Sequence, residues 1–340
     1  MSETATINIS MVGPRGVGKT SLLAAMYNEL DVELSKIGCN LALGAGTTTK
    51  NITGRLNELK KAATSSGIKV QADEGIPNTG ALIEYKFDLD IGDGGAPEVT
   101  LRFMDMPGAW YTGEGSRKDL EDADRTLGES HVSFLAVDAT ALMEAPSKQS
   151  GGIGKYHDHF NNPEAIRQAY KRALNHFGDG HLVVITLIRA ETYVKSGRIG
   201  ELYKRLREAY GDLASCLRKN GEQIPVFGCY VETVGSLVFN SFIEKGGAVM
   251  SEFRRIPGKG YTPSRCAIPL RLAVAKGLME AVSHAGKKVE QKDTFLNNIA
   301  DWFGISTELT EARKKLERTY GVFQEIKGRL NDDDFIDLSK

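Results

Sequence analysis

Residues Gly13-Pro14-Arg15-Gly16-Val17-Gly18-Lys19-Thr20 carry the spacing GxxxxGK[ST]. Each residue type in that spacing has a task in holding phosphate. Glycines let successive backbone N–H groups wrap an anion, the lysine ammonium reaches the β- and γ-phosphates, and the threonine hydroxyl is a ligand for Mg²⁺. The motif acts only between a strand and a helix, and this sequence supplies both. Ile7, Ile9, Met11 and Val12 form an alternating apolar run before it, and Leu22, Leu23, Met26 and Leu30 recur at helical spacing from Ser21 to about Leu34. The stretch therefore reads as a nucleoside triphosphate site rather than a glycine-rich turn.

A second constellation begins where the run Val99-Thr100-Leu101-Arg102-Phe103-Met104 meets Asp105-Met106-Pro107-Gly108. An aspartate at a strand's carboxyl end can hold Mg²⁺, usually through water. A glycine three places later can offer its amide to the γ-phosphate and so respond to its presence. By itself this pattern is a common turn; downstream of a phosphate loop it gains a function.

These residues need a parallel sheet to bring them together, and the rest of the chain describes one. Strands are expected at 81–91 and 98–104, antiparallel to each other and joined by the Gly- and Asp-rich residues 92–97. Val132 to Val137, Leu182 to Ile188 and Val226 to Val231 are nearly all apolar, as strands buried on both faces are. Helical stretches at 163–177 and 199–219 alternate with them, which specifies helices on both faces of the sheet. Between the first helix and residue 81, residues 38–80 are rich in Gly, Thr and Asn and read as a long adaptable connection with a helical patch around Ile52, Leu56 and Leu59. Residues 233–264 interrupt the pattern, and a helix from Ala267 to about Ala285 closes it. The expected division is a domain over 1–286 and a helical extension over 287–340 ending in loose acidic residues.

With both motifs placed, the chain resembles the P-loop GTPases of the translation-factor-related (TRAFAC) class, the Ras- and Era-like group, over about residues 6–285. The resemblance implies a three-layer α/β fold, mostly parallel with one antiparallel edge strand. It also implies GTP or GDP with Mg²⁺ as ligands. Phosphate contacts fall on Gly13, Arg15, Gly16, Val17, Gly18, Lys19, Thr20 and Ser21, with Gly108 on the γ-phosphate, and metal contacts on Thr20, Asp105 and a threonine before the second strand. Thr79 has the matching position; Thr47, Thr48 and Thr49 compete with it, or else cap the helix that follows.

The sequence departs from that family in three places. Where the base-reading NKxD should end a strand, Thr186-Leu187-Ile188-Arg189 stands. Guanine is selected by a carboxylate that accepts from its N–H groups, and arginine has no acceptor. Either Glu191 supplies one or base selectivity is relaxed, so ATP is not excluded. The later backbone contact to the base falls near 230–233. Ala109 occupies the place of the water-orienting glutamine, and Arg15 puts a cation beside the γ-phosphate or out in solvent. Lys19, Arg15 and Thr79 are the candidate catalytic residues. Two functions follow: a GTPase switch that changes its protein partner, or a nucleotide-stabilised interaction module that scarcely hydrolyses.

Composition narrows the setting. With 340 residues, 41% of them hydrophobic, the chain can bury a full α/β core, and a net charge of -1 argues against bulk attraction to nucleic acid or anionic membrane. Four scattered cysteines form no disulfide framework, and no apolar run reaches membrane-spanning length, so a cytoplasmic setting is expected. His157-Asp158-His159 reads as a polar loop rather than a metal pair, and Trp110 and Tyr111 as packing or a nucleotide-sensitive patch. Lys314, Lys315 and Arg318, interspersed with Glu311 and Glu317, read as a solvated helix face.

Overall fold

The computed structural model describes residues 4–64, 69–71, 81–91, 97, 99–146, 152–178, 180–219 and 221–276. Beyond these it describes only 322, 325, 326, 329 and 334–338. The chain opens with β1 (Ala5–Val12) and α1 (Lys19–Ser35), followed by β2 (Asn40–Leu43), α2 (Thr47–Thr64) and β3 (Lys69–Gln71). Next come β4 (Ile83–Asp90), β5 (Val99–Asp105), α3 (Gly108–Thr112), α4 (Arg117–Gly128) and β6 (Val132–Asp138). Helices α5 (Ala139–Met143), α6 (His157–Asn161) and α7 (Pro163–Ala173) lead to β7 (Leu182–Ile188), α8 (Glu191–Lys195) and α9 (Ile199–Cys216). After the small pair β8 (Arg218–Lys219) and β9 (Glu222–Gln223), the chain makes β10 (Val226–Tyr230), β11 (Leu237–Lys245), β12 (Ala248–Arg255) and finally β13 (Ile336–Asp337).

Eight strands form the main sheet in the order β13-β10-β7-β6-β1-β5-β4-β2. The five from β10 to β5 run parallel; β4 pairs antiparallel with β5, as the sequence predicts. That pair does not end the sheet, because β2 lies outside β4 and antiparallel to it. On the opposite edge β13 pairs antiparallel with β10, so residues beyond 287 return a strand to the sheet.

Burial explains the layering. Ile7, Ile9 and Met11 of β1 point to one face, where Leu22, Leu23, Met26 and Leu30 of α1, Ile52 and Leu56 of α2 and the helical residues 267–274 pack. The opposite face is covered by α4, α7 and α9 through Leu127, Ile166, Tyr170, Leu202, Leu206 and Tyr210. All seven residues of β6 are buried, which fits its apolar sequence. Because β5 and β6 flank β1 on opposite sides, the chain changes direction across β1 and opens a crevice at the carboxyl ends of these strands.

The second face also holds a buried polar network with a consequence for stability. Tyr170 donates to Ser133 Oγ at 2.9 Å, Ser133 lies 3.3 Å from His181 Nε2, and His181 Nδ1 lies 2.7 Å from the Ser130 carbonyl. A carbonyl can only accept, so Nδ1 carries the hydrogen and Nε2 must accept. Burial pulls the His181 pKa down to about 4, and burial does the same to His157, to about 4. The unfolded chain takes up a proton on each near 6.5, whereas the folded chain refuses it until about 4. Stability is therefore lost as pH falls through that window, by about 2 kcal/mol per histidine at pH 5. Urea unfolding at pH 7.5 and pH 5 should show this loss, and His181→Asn should shrink it; an unchanged pH slope would refute the linkage.

Candidate functional site

The crevice is built from the loops after β1, β5, β6, β7 and β10. In register Met11 faces Asp105 across the β1–β5 pair, which places the first residues of the phosphate loop beside the Asp105 turn. Gly13 has φ +144°, and a Cβ there would meet the Ala136 carbonyl at 3.0 Å, so β6 leaves room only for glycine. Gly18 caps α1 at φ 108°, and no acidic residue occupies the helix's first turn. The partial positive end of α1 is therefore left for an anion.

Three hydrogen bonds describe the loop. Lys19 Nζ donates to the carbonyls of Gly13 (3.0 Å) and Pro14 (3.4 Å), and Thr20 Oγ1 donates to Asp105 Oδ2 at 2.7 Å. The two motifs thus converge. Gly108 closes the same contact, since a Cβ at that position would lie 2.1 Å from the Arg15 backbone nitrogen. Lys19 is buried and Asp105 is fully so. Burial pushes the Asp105 carboxyl up, against Lys19, Thr20 and Arg55, and pushes the Lys19 ammonium down, against Asp105. Asp105 Oδ1 is buried with no hydrogen-bond partner. A carboxylate oxygen left open beside a hydroxyl is the hard oxygen donor set that Mg²⁺ takes, so Thr20 and Asp105 could hold it.

Other expected residues take varied positions. Arg15 and Gly16 are exposed, Val17 is buried in the core, and Thr20 and Ser21 are partly buried. Thr79 lies outside the described residues. Thr48 is buried and accepts from the Lys86 backbone N–H at 3.2 Å, while Thr49 donates to the Gly44 carbonyl. Both are occupied in fixing α2. Tyr111 is buried and packs in the core, its hydroxyl 3.4 Å from the Met11 carbonyl. Asn161 holds His157 Nδ1 at 3.0 Å, which removes that nitrogen from metal ligation.

On the base side, β7 ends at Ile188, and Arg189 follows with φ 61°. Its guanidinium pairs with the buried Asp138 Oδ2, reaches the Gly16 carbonyl at 3.4 Å and lies 5.4 Å from the centroid of the Phe253 ring on β12. Glu191 is buried, and its Oε1 accepts from the backbone N–H groups of Val234 (3.1 Å) and Gly235 (3.2 Å). That oxygen organises the loop after β10. Asp138, with Thr140 and Arg189 on its oxygens, was not singled out in the sequence; an aspartate ending the apolar run of β6 was its signal.

Residues 8–168, less than half of the chain, match the family model described as 50S ribosome-binding GTPase. The fold is that of a P-loop GTPase. The match also supports GTP as the nucleotide bound. Two crystal structures of the S. cerevisiae Ski7 GTPase-like domain resemble this GTPase fold at 14% identity, one bound to GTP and one to GDP and inorganic phosphate. They align over 67% of this chain and 43% and 44% of theirs, with TM-scores of 0.31 and 0.32. The chain therefore spans less than half the length of those structures. No curated protein gives a significant match. No described helix is long and apolar enough to cross a membrane.

Proposed function

We propose that the chain binds GTP with Mg²⁺, hydrolyses it, and changes protein partner when the γ-phosphate is lost. The observation that carries this reading is the Thr20–Asp105 contact at 2.7 Å, closed over by Gly108 against the phosphate loop. In this reading the loop amides and Lys19 hold the phosphates, Thr20 and Asp105 hold the metal, and the Gly108 amide answers to the γ-phosphate. Bound there, Mg²⁺ neutralises charge that develops on the phosphates. Thr79 is the proposed switch threonine, and Arg15, exposed on the phosphate loop, is the proposed cation for the γ-phosphate.

A second reading is favoured by one feature of the base side: a Glu191 oxygen is already committed to two backbone N–H groups. With that acceptor engaged, guanine and adenine differ less in affinity, and Ala109 leaves water unoriented. The chain is then a nucleotide-stabilised interaction module.

Phosphate release in the presence of Mg²⁺ separates the readings. Wild-type protein should turn over GTP at least tenfold faster than Asp105→Asn, because the variant's amide offers one neutral oxygen in place of a charged metal ligand. Equal rates would defeat the enzyme reading and leave the second, and equal affinity for GTP and ATP would show that base selectivity is relaxed.

A further inference from the structure

The loop after β10 is held by a segment that follows it in the chain. Glu232 and Ser264 exchange backbone hydrogen bonds of 2.9 Å, and the Thr262 N–H donates to the Val234 carbonyl at 3.0 Å. A Cβ on Gly235, at φ +75°, would lie 1.7 Å from the Thr262 carbonyl oxygen, so the two segments meet backbone to backbone. Glu191 holds the same loop through Val234 and Gly235. Next in the chain is Arg265, with φ 64°, a left-handed conformation that costs a residue with a Cβ and that glycine adopts freely. Its guanidinium lies 4.2 Å from the ring centroid of Tyr230, the last residue of β10. Arg265 Nη2 also lies 3.0 Å from Asp334 Oδ1 and 3.4 Å from the Asp334 carbonyl oxygen. Asp334 is buried, and the Tyr203 hydroxyl donates to its carbonyl at 3.4 Å. The residues that follow it are anchored on β10, where Gly228 leaves the space that Ile336 and Leu338 fill.

We infer that Asp334, acting through Arg265, positions the loop that faces the nucleotide base and so sets the rate at which nucleotide leaves. The inference rests on the nucleotide-binding reading above, with the loop after β10 supplying the backbone contact to the base. Amides already held in place bind without first being ordered, and loosening them shows chiefly in the dissociation rate. The backbone at position 265 favours glycine, so what arginine adds there is its guanidinium. That group joins three parts of the chain that are far apart in sequence: the end of β10, the segment 262–264 and the buried aspartate before β13. Asp334 is thus a positioning residue, which touches Arg265 and acts on the base at one remove. These contacts bypass Lys19, Thr20 and Asp105, so the phosphate end of the crevice is left as it is.

Release of fluorescently labelled GDP, affinities for GTP and GDP with Mg²⁺, and thermal unfolding without nucleotide are measured on wild type, Asp334→Ala, Asp334→Glu and Arg265→Gly. Asp334→Ala and Arg265→Gly should each release GDP roughly tenfold faster, as the loss of one charge-assisted contact implies. Asp334→Glu, which keeps the charge, should stay within about threefold of wild type. Affinities for GTP and GDP should fall by the same factor, because the γ-phosphate is held elsewhere. Arg265→Gly should unfold with wild type, since relief of the left-handed φ offsets the lost ion pair, and its faster release is then no loss of fold. Should Asp334→Ala fail to fold, Arg265→Gly decides alone. Unchanged release from Arg265→Gly, or a loss of affinity confined to GTP, overturns the inference while nucleotide binding stands. Wild-type protein that retains no labelled GDP defeats both.

Discussion

Lys19→Ala should bind GTP roughly a hundred- to ten-thousandfold more weakly than wild type, because charge-assisted hydrogen bonds to two phosphates are worth about 1.5–3 kcal/mol each. Its stability without nucleotide should hardly change. Lys19 donates to the Gly13 and Pro14 carbonyls, and these bonds stabilise the loop. Against them stands the cost of keeping an ammonium group buried, which is also why burial pushes its pKa down. The two effects oppose each other, and alanine removes both. Binding has no such compensation, since the phosphates bring the negative charge that repays the desolvation. Calorimetric titration with GTP and Mg²⁺, beside thermal unfolding of the same samples, checks both halves. Unaltered affinity would remove the phosphate loop from the binding reaction altogether.

The residues behind that prediction were legible because their chemistry is local. A strand, eight residues of loop and a helix make the phosphate site, and nothing distant changes what Lys19 and Thr20 face. The apolar runs of β6 and β7 were equally plain, since strands buried on both faces allow few polar residues. The segment over 38–80 was harder. Asn40–Leu43 is too short for its alternation to register, and α2 begins with three threonines and contains Gly54, residues of modest or poor helix propensity. Tertiary packing of Ile52 and Leu56 overrides that propensity. The hairpin of β11 and β12 in the 233–264 insertion had a readable signal. Gly246 and Gly247 both take positive φ, the two-residue turn that joins antiparallel strands. What no local reading reaches is pairing at a distance: β13 on β10 and Phe253 beneath Arg189.

Those distant contacts also decide which glycines can be replaced, and two of them give opposite expectations. Gly54 sits in α2 with nothing within 4 Å of a Cβ, so Gly54→Ala should stabilise the protein by about 1 kcal/mol through helix propensity. Gly108 is the first residue of α3 and would gain from the same propensity. Its Cβ, however, would lie 2.1 Å from Arg15 N, 2.4 Å from Pro14 C and 2.7 Å from Arg15 Cα. All three are backbone atoms, so no rotamer change relieves the overlap. Either the phosphate loop or the Asp105–Gly108 turn must move, and each motion pulls Thr20 from Asp105. The clash outweighs propensity, because overpacking of this kind costs about 1–3 kcal/mol even where side chains can yield. Urea unfolding without nucleotide should therefore place Gly108→Ala at least about 1 kcal/mol below wild type, and Gly54→Ala above it. Should Gly108→Ala prove as stable as wild type, the close approach of the two motifs is not the geometry of the folded protein.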